Sequence, residues 1–223
     1  MNASESIKVD TGQLSILRKL VSRGEGLTLE FKRKAAHPDK IVRELIAFGN
    51  TQGGTLLIGV DDNGTIPGIK YPEEELLAVR EAIEKHCRPA LTIAESIVAV
   101  DPKHFVARID VILDEKRPHY FKLTADTRES YVRSGDMSVK ASREMIEIVR
   151  RSRKGKDIRF TFGEAEKSLM EYLELKKTIS VDEFKTLAKL NRFAATRKLI
   201  LLVLANVLRI QPTEKGDLYS RVG

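Results

Sequence analysis

The stretch FGNTQGGTLLIGVDDNGTIPGI, from Phe48 to Ile69, places two turn signals on either side of one apolar run. The first signal is the pair Gly53 and Gly54, which allows a tight turn or a close approach of another molecule to the backbone. Phosphate-binding loops of the P-loop and dinucleotide types follow a strand and open a helix. Here the predicted order is reversed. The stretch therefore predicts a helix-to-strand turn, and its backbone at Asn50, Thr51, Gly53 and Gly54 is a candidate phosphate contact.

The second turn signal is Asn63-Gly64, which follows the buried-type strand TLLIGV at residues 55–60. Asn-Gly between apolar segments is the strongest short hairpin signal. We therefore expect residues 65–69 to return beside the first strand, as a short or edge strand because Pro67 lacks a backbone donor.

A strand and a helix are predicted upstream of the glycines. LTLEFK, at residues 27–32, alternates apolar and polar side chains as a strand does. Asp39 is a good N-cap, and apolar residues recur at helical spacing from Ile41 to Phe48. The helix should end near Gly49-Asn50, which tolerate left-handed geometry.

The remaining pattern predicts an α+β domain over residues 12–150, with a mixed sheet, hairpins and flanking helices. A short helix around Leu14–Leu20 precedes the strand at 27–32. Further elements follow the glycine stretch: helices at 72–87 and after Ser142, and antiparallel strand pairs at 91–100 with 104–113 and at 119–124 with 130–135.

A basic segment at residues 151–160 is the expected linker, and a second domain is expected over 161–223. Three amphipathic helices are predicted there, the second capped by Ser180 and the third beginning near Asn191. Two short strands around Lys215-Gly216 follow. Three helices and then a hairpin is the order of a small winged-helix domain.

The net charge of +7 is unevenly distributed. Residues 150–223 carry +8, and the rest of the chain carries −1. Such asymmetry is typical of a unit that binds a polyanion, although a solvated basic surface is the alternative.

The single cysteine, Cys87, excludes a disulfide framework and zinc-ligand spacing. With no apolar run long enough for a membrane span and no secretory pattern at the start, we expect a cytoplasmic protein without membrane contact.

Three motifs in order, GEGLTLEFKRK, IAFGNTQGGTLLIGVDDNGTIPGI and YVRSGDMSVKAS, resemble the signatures of the Schlafen AlbA-like domain. The resemblance runs from about Leu14 to Val149. It implies nucleic-acid binding, as in bacterial DNA-binding or transcriptional regulatory proteins that carry this domain. It also implies that the turn from Asn50 to Gly54 belongs to the core of the fold.

The same resemblance implies a candidate metal-dependent nuclease site. Some Schlafen proteins carry two glutamates five residues apart and a later aspartate, and this spacing is found at Glu25 and Glu30, with Asp61 or Asp62 as the third acid. A Mg²⁺ or Mn²⁺ ion would need their oxygens to converge. Because residues five apart on a regular strand face opposite sides, Glu25 must lie in a bend. The alternative is that Glu30 pairs with Lys32 and the aspartates form the turn.

Several basic residues are candidate phosphate contacts. They fall after the first strand, in YVRSG, in the linker and on the predicted third helix of the second domain: Lys32, Arg33, Lys34, Arg133, Arg151, Arg153, Lys154, Arg192, Arg197 and Lys198. Arg and Lys at the start of a recognition helix meet guanine edges and phosphates in the major groove.

These observations favour a nucleic-acid-binding regulator, with DNA favoured over RNA. The first alternative is a metal-dependent nuclease, which would need a homodimer because the resemblance implies two domain copies clamping RNA. The second alternative is a module that senses a nucleotide or another protein.

Overall fold

The structure, a computed structural model of the 223-residue chain, describes residues 9–152, 160–213 and 215–222. The chain divides into two compact units, Met1–Ser138 and Val139–Gly223. No helix in the described ranges is long and apolar enough to cross a membrane.

Among the described residues, the first unit contains three helices and most of the strands. The helices are α1 (Thr11–Val21), α2 (Pro38–Asn50) and α3 (Pro72–His86). The strands are β1 (Leu29–Lys32), β2 (Gly54–Ile58), β3 (Cys87–Arg88), β4 (Thr92–Ala99), β5 (Phe105–Ile112), β6 (Tyr120–Lys122), β7 (Arg128–Glu129), β8 (Tyr131–Ser134) and β9 (Met137–Lys140), the last of which reaches the division between the units.

A four-stranded sheet in the order β1-β2-β5-β4 forms the centre of this unit. β1 pairs with β2 in parallel, and the other two pairings are antiparallel. Because side chains alternate along a strand, the sheet buries both faces. Phe31 and Leu57 pack in a cluster with residues of α1, whereas Leu56 and Ile58 pack in a cluster with residues of α2 and α3. Glu30, which is paired in register with Leu56, therefore lies on the α2 side.

The predicted α+β class with a mixed sheet and flanking helices is confirmed, but the expected return strand at residues 65–69 was wrong. The Asn63-Gly64 turn does form: the amide of Thr65 donates to Asn63 Oδ1 at 2.9 Å, and Gly64 has φ +81°. Beyond it, the structure gives no strand over 65–69, only an isolated bridge from Ile69 to Phe105. Pro67 has no backbone N–H, so it cannot donate a hydrogen bond to a neighbouring strand in this segment.

The second expected strand pair, residues 119–124 with 130–135, was also wrong, since β6 pairs with β3 and β7 while β8 pairs with β9.

In the second unit, the described residues form four helices and a small antiparallel sheet in the order β10-β12-β11. Ser180 and Asn191 cap two of the helices with their side chains, as the sequence predicts. The elements are α4 (Arg143–Ser152), α5 (Glu164–Lys176), β10 (Thr178–Ile179), α6 (Val181–Leu187), α7 (Arg192–Leu204), β11 (Leu208–Gln211) and β12 (Leu218–Arg221).

The division between the units falls earlier than the boundary near Arg150 that the sequence suggested. The reason is α4, whose Glu144 accepts a hydrogen bond from Thr196 on α7 at 3.3 Å. Helix α4 also continues to Ser152, into the expected linker, and residues 153–159 of that linker lie outside the described residues.

Candidate nucleic-acid interface

The turn from Asn50 to Gly54 is held by the side chain of Asn50. The two hydrogens of its amide nitrogen are shared among three acceptors, the carbonyls of His119 (3.0 Å) and Tyr131 (3.0 Å) and the Ser130 hydroxyl (2.9 Å), and its oxygen accepts from the amide of His119 (2.7 Å). Asn50 is buried, so these four bonds satisfy a polar group that would otherwise destabilise the core. The role of Asn50 is to join the end of α2 to two later segments.

Two amides of this turn are already occupied. The backbone N–H groups of Thr51 and Gly53 both donate to the carbonyl of Phe48, at 3.0 and 2.8 Å. The hydroxyl of Thr51 accepts from the amide of Arg133. Gly54 begins β2 opposite Val111. These two donors serve the turn itself, and the phosphate contact at this turn stays a prediction.

Glu25 and Glu30 do approach each other. Glu25 lies in a bend, as expected, and Gly24 before it has φ +72°. Glu25 Oε1 accepts from the amide of Phe31 at 2.8 Å. Burial raises the pKa of Glu25, and the charge of Glu30 and a hydrogen bond with it raise this pKa further. The bend thus brings two carboxylates together, as one half of the metal-site hypothesis requires.

Glu30 is neutralised by two cations. Its Oε2 pairs with Arg133 Nη1 at 2.9 Å, and its Oε1 pairs with Lys32. Glu30 is 7% exposed and Arg133 is 3% exposed. Arg133 also donates to the carbonyls of Gly26 (2.6 Å) and Asp136 (2.9 Å). The Arg133 guanidinium therefore links its own strand β8 to strand β1, through Glu30, and to the segments at Gly26 and Asp136.

Glu44 is a member of this cluster that the sequence motifs did not reveal. It lies on α2 and pairs with Lys32 Nζ at 3.3 Å. Burial raises the pKa of Glu44 from 4.5 to about 7, although the charge of Lys32 acts in the opposite direction. Its Oε2 is buried without a hydrogen-bond partner among the described residues. No local pattern marks Glu44, since only the packing of α2 on β1 brings it to Lys32.

The two aspartates do not join the glutamates. Asp61 accepts two bonds from Arg33 Nη1, at 3.0 and 2.9 Å, and one from the Thr65 hydroxyl at 2.9 Å. Asp62 is exposed. Within the described ranges, no group of three or more His, Cys, Asp or Glu side chains could hold a metal ion. The expected Mg²⁺ or Mn²⁺ set of Glu25, Glu30 and Asp61 is therefore not assembled, because Arg33 and the turn hold Asp61 elsewhere.

Most of the candidate cations of the first unit are also paired internally. Lys32 and Arg133 contact Glu30, and Arg33 contacts Asp61. Lys34 is exposed and makes no ion pair with any described residue. Of these four side chains, Lys34 is therefore the one whose charge is available to an external phosphate.

In the second unit, the cations on α7 differ in their pairing. Arg192 contacts Asp182 at 2.6 Å, and Lys198 contacts the buried Glu166 at 2.5 Å. Arg197 is exposed and makes no hydrogen bond or ion pair within the part of the chain that the structure describes. Arg151 on α4 contacts Glu147 at 2.7 Å. Arg153 and Lys154 lie outside the described residues.

A groove runs between α4 and α7, with a volume of ≈ 1030 Å³. Phe193 lines it and is 76% exposed, which is unusual for a phenyl ring. Arg197 follows Phe193 by four positions, so both side chains lie on one helix face. The rest of the lining consists of charged side chains from both helices together with two uncharged residues of α7, namely Arg143, Glu144, Glu147, Arg151, Arg192, Thr196 and Ile200.

Comparison with known proteins identifies a family and structurally similar proteins. A family model described as Schlafen, AlbA_2 matches residues 25–142, which is more than half of the chain. A search of curated proteins gives no match. A similar solved structure is that of the DIP2311 protein from Corynebacterium diphtheriae, with 18% identity and a TM-score of 0.47 over 93% of this chain. The chain spans 38% of the length of that protein chain.

Proposed function

Because the chain belongs to the Schlafen AlbA_2 family, we propose that it is a DNA-binding regulator whose C-terminal unit is a winged helix. The family supports nucleic-acid binding in general. The preference for duplex DNA rests on the second unit, where the chain order α5, β10, α6, α7, β11, β12 is the order expected of a winged helix.

The observation that carries the proposal is the exposed pair of Phe193 and Arg197 in the first two turns of α7. In helix-turn-helix proteins the residues near the start of the second helix contact base edges in the major groove. Arg197 has no carboxylate partner among the described residues, so a phosphate or a guanine edge would be its first strong partner. The net charge of +8 over residues 150–223 supplies the sequence-independent attraction to DNA.

Duplex binding as a function of salt concentration tests this proposal. We expect the full chain to bind duplex DNA with an affinity that falls linearly with salt on logarithmic axes, because bound cations release counterions. Arg197→Gln should weaken binding about fivefold or more, corresponding to one lost charged contact. Lys176→Gln, which removes the same charge from an exposed site at the end of α5, is the control and should bind as the wild type does.

Two results would contradict the proposal. If Arg197→Gln and Lys176→Gln bind equally well, α7 is not in the interface. If single-stranded RNA binds much more tightly than duplex DNA at the same salt concentration, the preference for DNA is wrong and only general nucleic-acid binding remains.

A divalent-metal-dependent nuclease is the second candidate function, which the approach of Glu25 to Glu30 favours. It requires a third metal ligand, and the residues expected for that position, Asp61 and Asp62, lie in or beside the turn instead. Binding without cleavage is thus the better supported function.

A further inference from the structure

A second cationic surface lies in the first unit, on the small sheet of β3, β6 and β7. The loop between β6 and β7, with Arg88 on β3, encloses a cleft of ≈ 450 Å³. Its cations are Arg88, Lys122 and Arg128, and Asp126 is the acid in its lining. None of the three cations was a candidate from the sequence, since only strand pairing brings them together.

Lys122 and Arg128 are directly opposite each other in the antiparallel pair of β6 and β7. Directly opposite residues of an antiparallel pair project from the same face, so two positively charged side chains leave the sheet at neighbouring positions. Like charges at such positions destabilise a sheet. Neither side chain has an ion-pair partner in the described ranges, and both residues are exposed. The fold therefore keeps an unfavourable pair of charges at the mouth of a cleft.

The two arginines are oriented by uncharged groups. Arg88 Nη1 donates to the carbonyls of Glu84 (2.7 Å) and Cys87 (2.6 Å), which leaves its other nitrogens available. The guanidinium of Arg128 lies over the ring of Tyr120, 4.4 Å from its centroid. These contacts restrict the side chains without cancelling their charge. A site of preorganised, unneutralised cations is suited to an anion with several oxygens.

We propose that this cleft binds the phosphate backbone of DNA, as a contact surface of the first unit in addition to α7. The inference rests on the proposed DNA binding and adds a second set of contact residues to it. Phosphate contacts would offset the repulsion between Lys122 and Arg128, so the charge pair is unfavourable in the free protein and favourable on DNA.

Lys122→Glu separates a structural role from a binding role. It converts the like-charge pair with Arg128 into an opposite-charge pair, so the melting temperature of the protein should rise. In contrast, affinity for duplex DNA should fall about tenfold or more at moderate salt, and the logarithmic salt slope should decrease in magnitude by about 1. Lys103→Glu, in the exposed turn between β4 and β5, makes the same charge change and is the control.

The experiment is a salt titration of the full chain with a fluorescent DNA duplex, with thermal melting of each variant. The inference is supported if Lys122→Glu loses affinity for duplex DNA, Lys103→Glu keeps it, and the melting temperature of Lys122→Glu is unchanged or raised. Equal DNA affinities of Lys122→Glu and Lys103→Glu would show that the cleft does not bind DNA, and they would not contradict the proposed function. Failure of the wild type to bind DNA overturns the proposed function and this inference together.

Discussion

At the scale of single residues, burial has a larger effect on the pKa of Glu44 than its ion pair with Lys32 does. Its partner Lys32 lies 3.3 Å away, yet burial raises the pKa of Glu44 to about 7. The folded state therefore binds a proton at Glu44 more tightly than the unfolded state does. Between about pH 4.5 and about pH 7, the contribution of Glu44 to the free energy of unfolding must fall as pH rises.

We expect Glu44→Gln to remove much of this pH dependence, because glutamine cannot ionise. Relative to the wild type, the variant should gain up to about 3 kcal/mol in free energy of unfolding between pH 4.5 and pH 7. Urea denaturation monitored by circular dichroism at the two pH values measures this difference in the free energy of unfolding. Glu81→Gln, an exposed carboxylate on α3, should leave the pH dependence unchanged. If the free energy of unfolding depends on pH in the same way in Glu44→Gln and in the wild type, the Glu44 carboxylate is solvated.

Gly54 is constrained by packing rather than by its dihedral angles. A Cβ at Gly54 would lie 2.4 Å from Phe48 Cδ1, and Phe48 is fully buried. We expect Gly54→Ala to lower the free energy of unfolding by about 1–3 kcal/mol, the typical effect of overpacking a core. Gly26→Ala is the matched control, since a Cβ there meets nothing within 4 Å and its φ is not positive. Equal melting of the two variants would mean that Phe48 moves aside freely.

At the scale of elements, α7 presents an aromatic ring that its own unit does not cover. Truncating Phe193 should change stability little, because the ring is 76% exposed. Affinity for duplex DNA should fall by about 1–2 kcal/mol if the ring meets thymine methyl groups or partly unstacked bases. Binding assays at fixed salt test this, with Leu175→Ala as the control, because Leu175 on α5 is 83% exposed. Equal affinities for Phe193→Ala and Leu175→Ala would exclude the ring from the interface.

The elements were predictable from the sequence to the extent that local signals specify them. The end of α2 at Asn50 and the cap of α7 at Asn191 follow from residues within one helical turn. The expected N-cap of α2 at Asp39 was wrong, because α2 begins at Pro38 and Asp39 lies in its first turn. The pairing of β6 with β3 and β7 does not, because it depends on contacts between residues distant in sequence. The same limit applies to the candidate sites. The motif at Glu25 and Glu30 is local, whereas Glu44, Lys122 and Arg128 meet their neighbours only through tertiary packing.

At the scale of the whole molecule, the two units use their charges differently. The region 1–149 has a net charge of −1, and there Lys32, Arg33 and Arg133 are neutralised by nearby acids. Residues 150–223 carry the entire positive excess. Under the proposed function, the long-range attraction of DNA would come mainly from residues 150–223, and the first unit would add short-range contacts where its cations have no acidic partner.

An assay for metal-dependent cleavage separates binding from catalysis. We expect no cleavage of hairpin RNA or single-stranded DNA with Mg²⁺ or Mn²⁺, because Asp61 is bound by Arg33 and cannot complete a set with Glu25 and Glu30. Glu30→Gln should instead lower the free energy of unfolding by about 3–5 kcal/mol, since it leaves the buried Arg133 without its carboxylate. Gel assays and urea denaturation measure the two effects. Metal-dependent cleavage by the wild type that is lost in both Glu25→Gln and Asp61→Asn, with each variant still folded, would establish the nuclease and require Asp61 to leave Arg33 when metal binds.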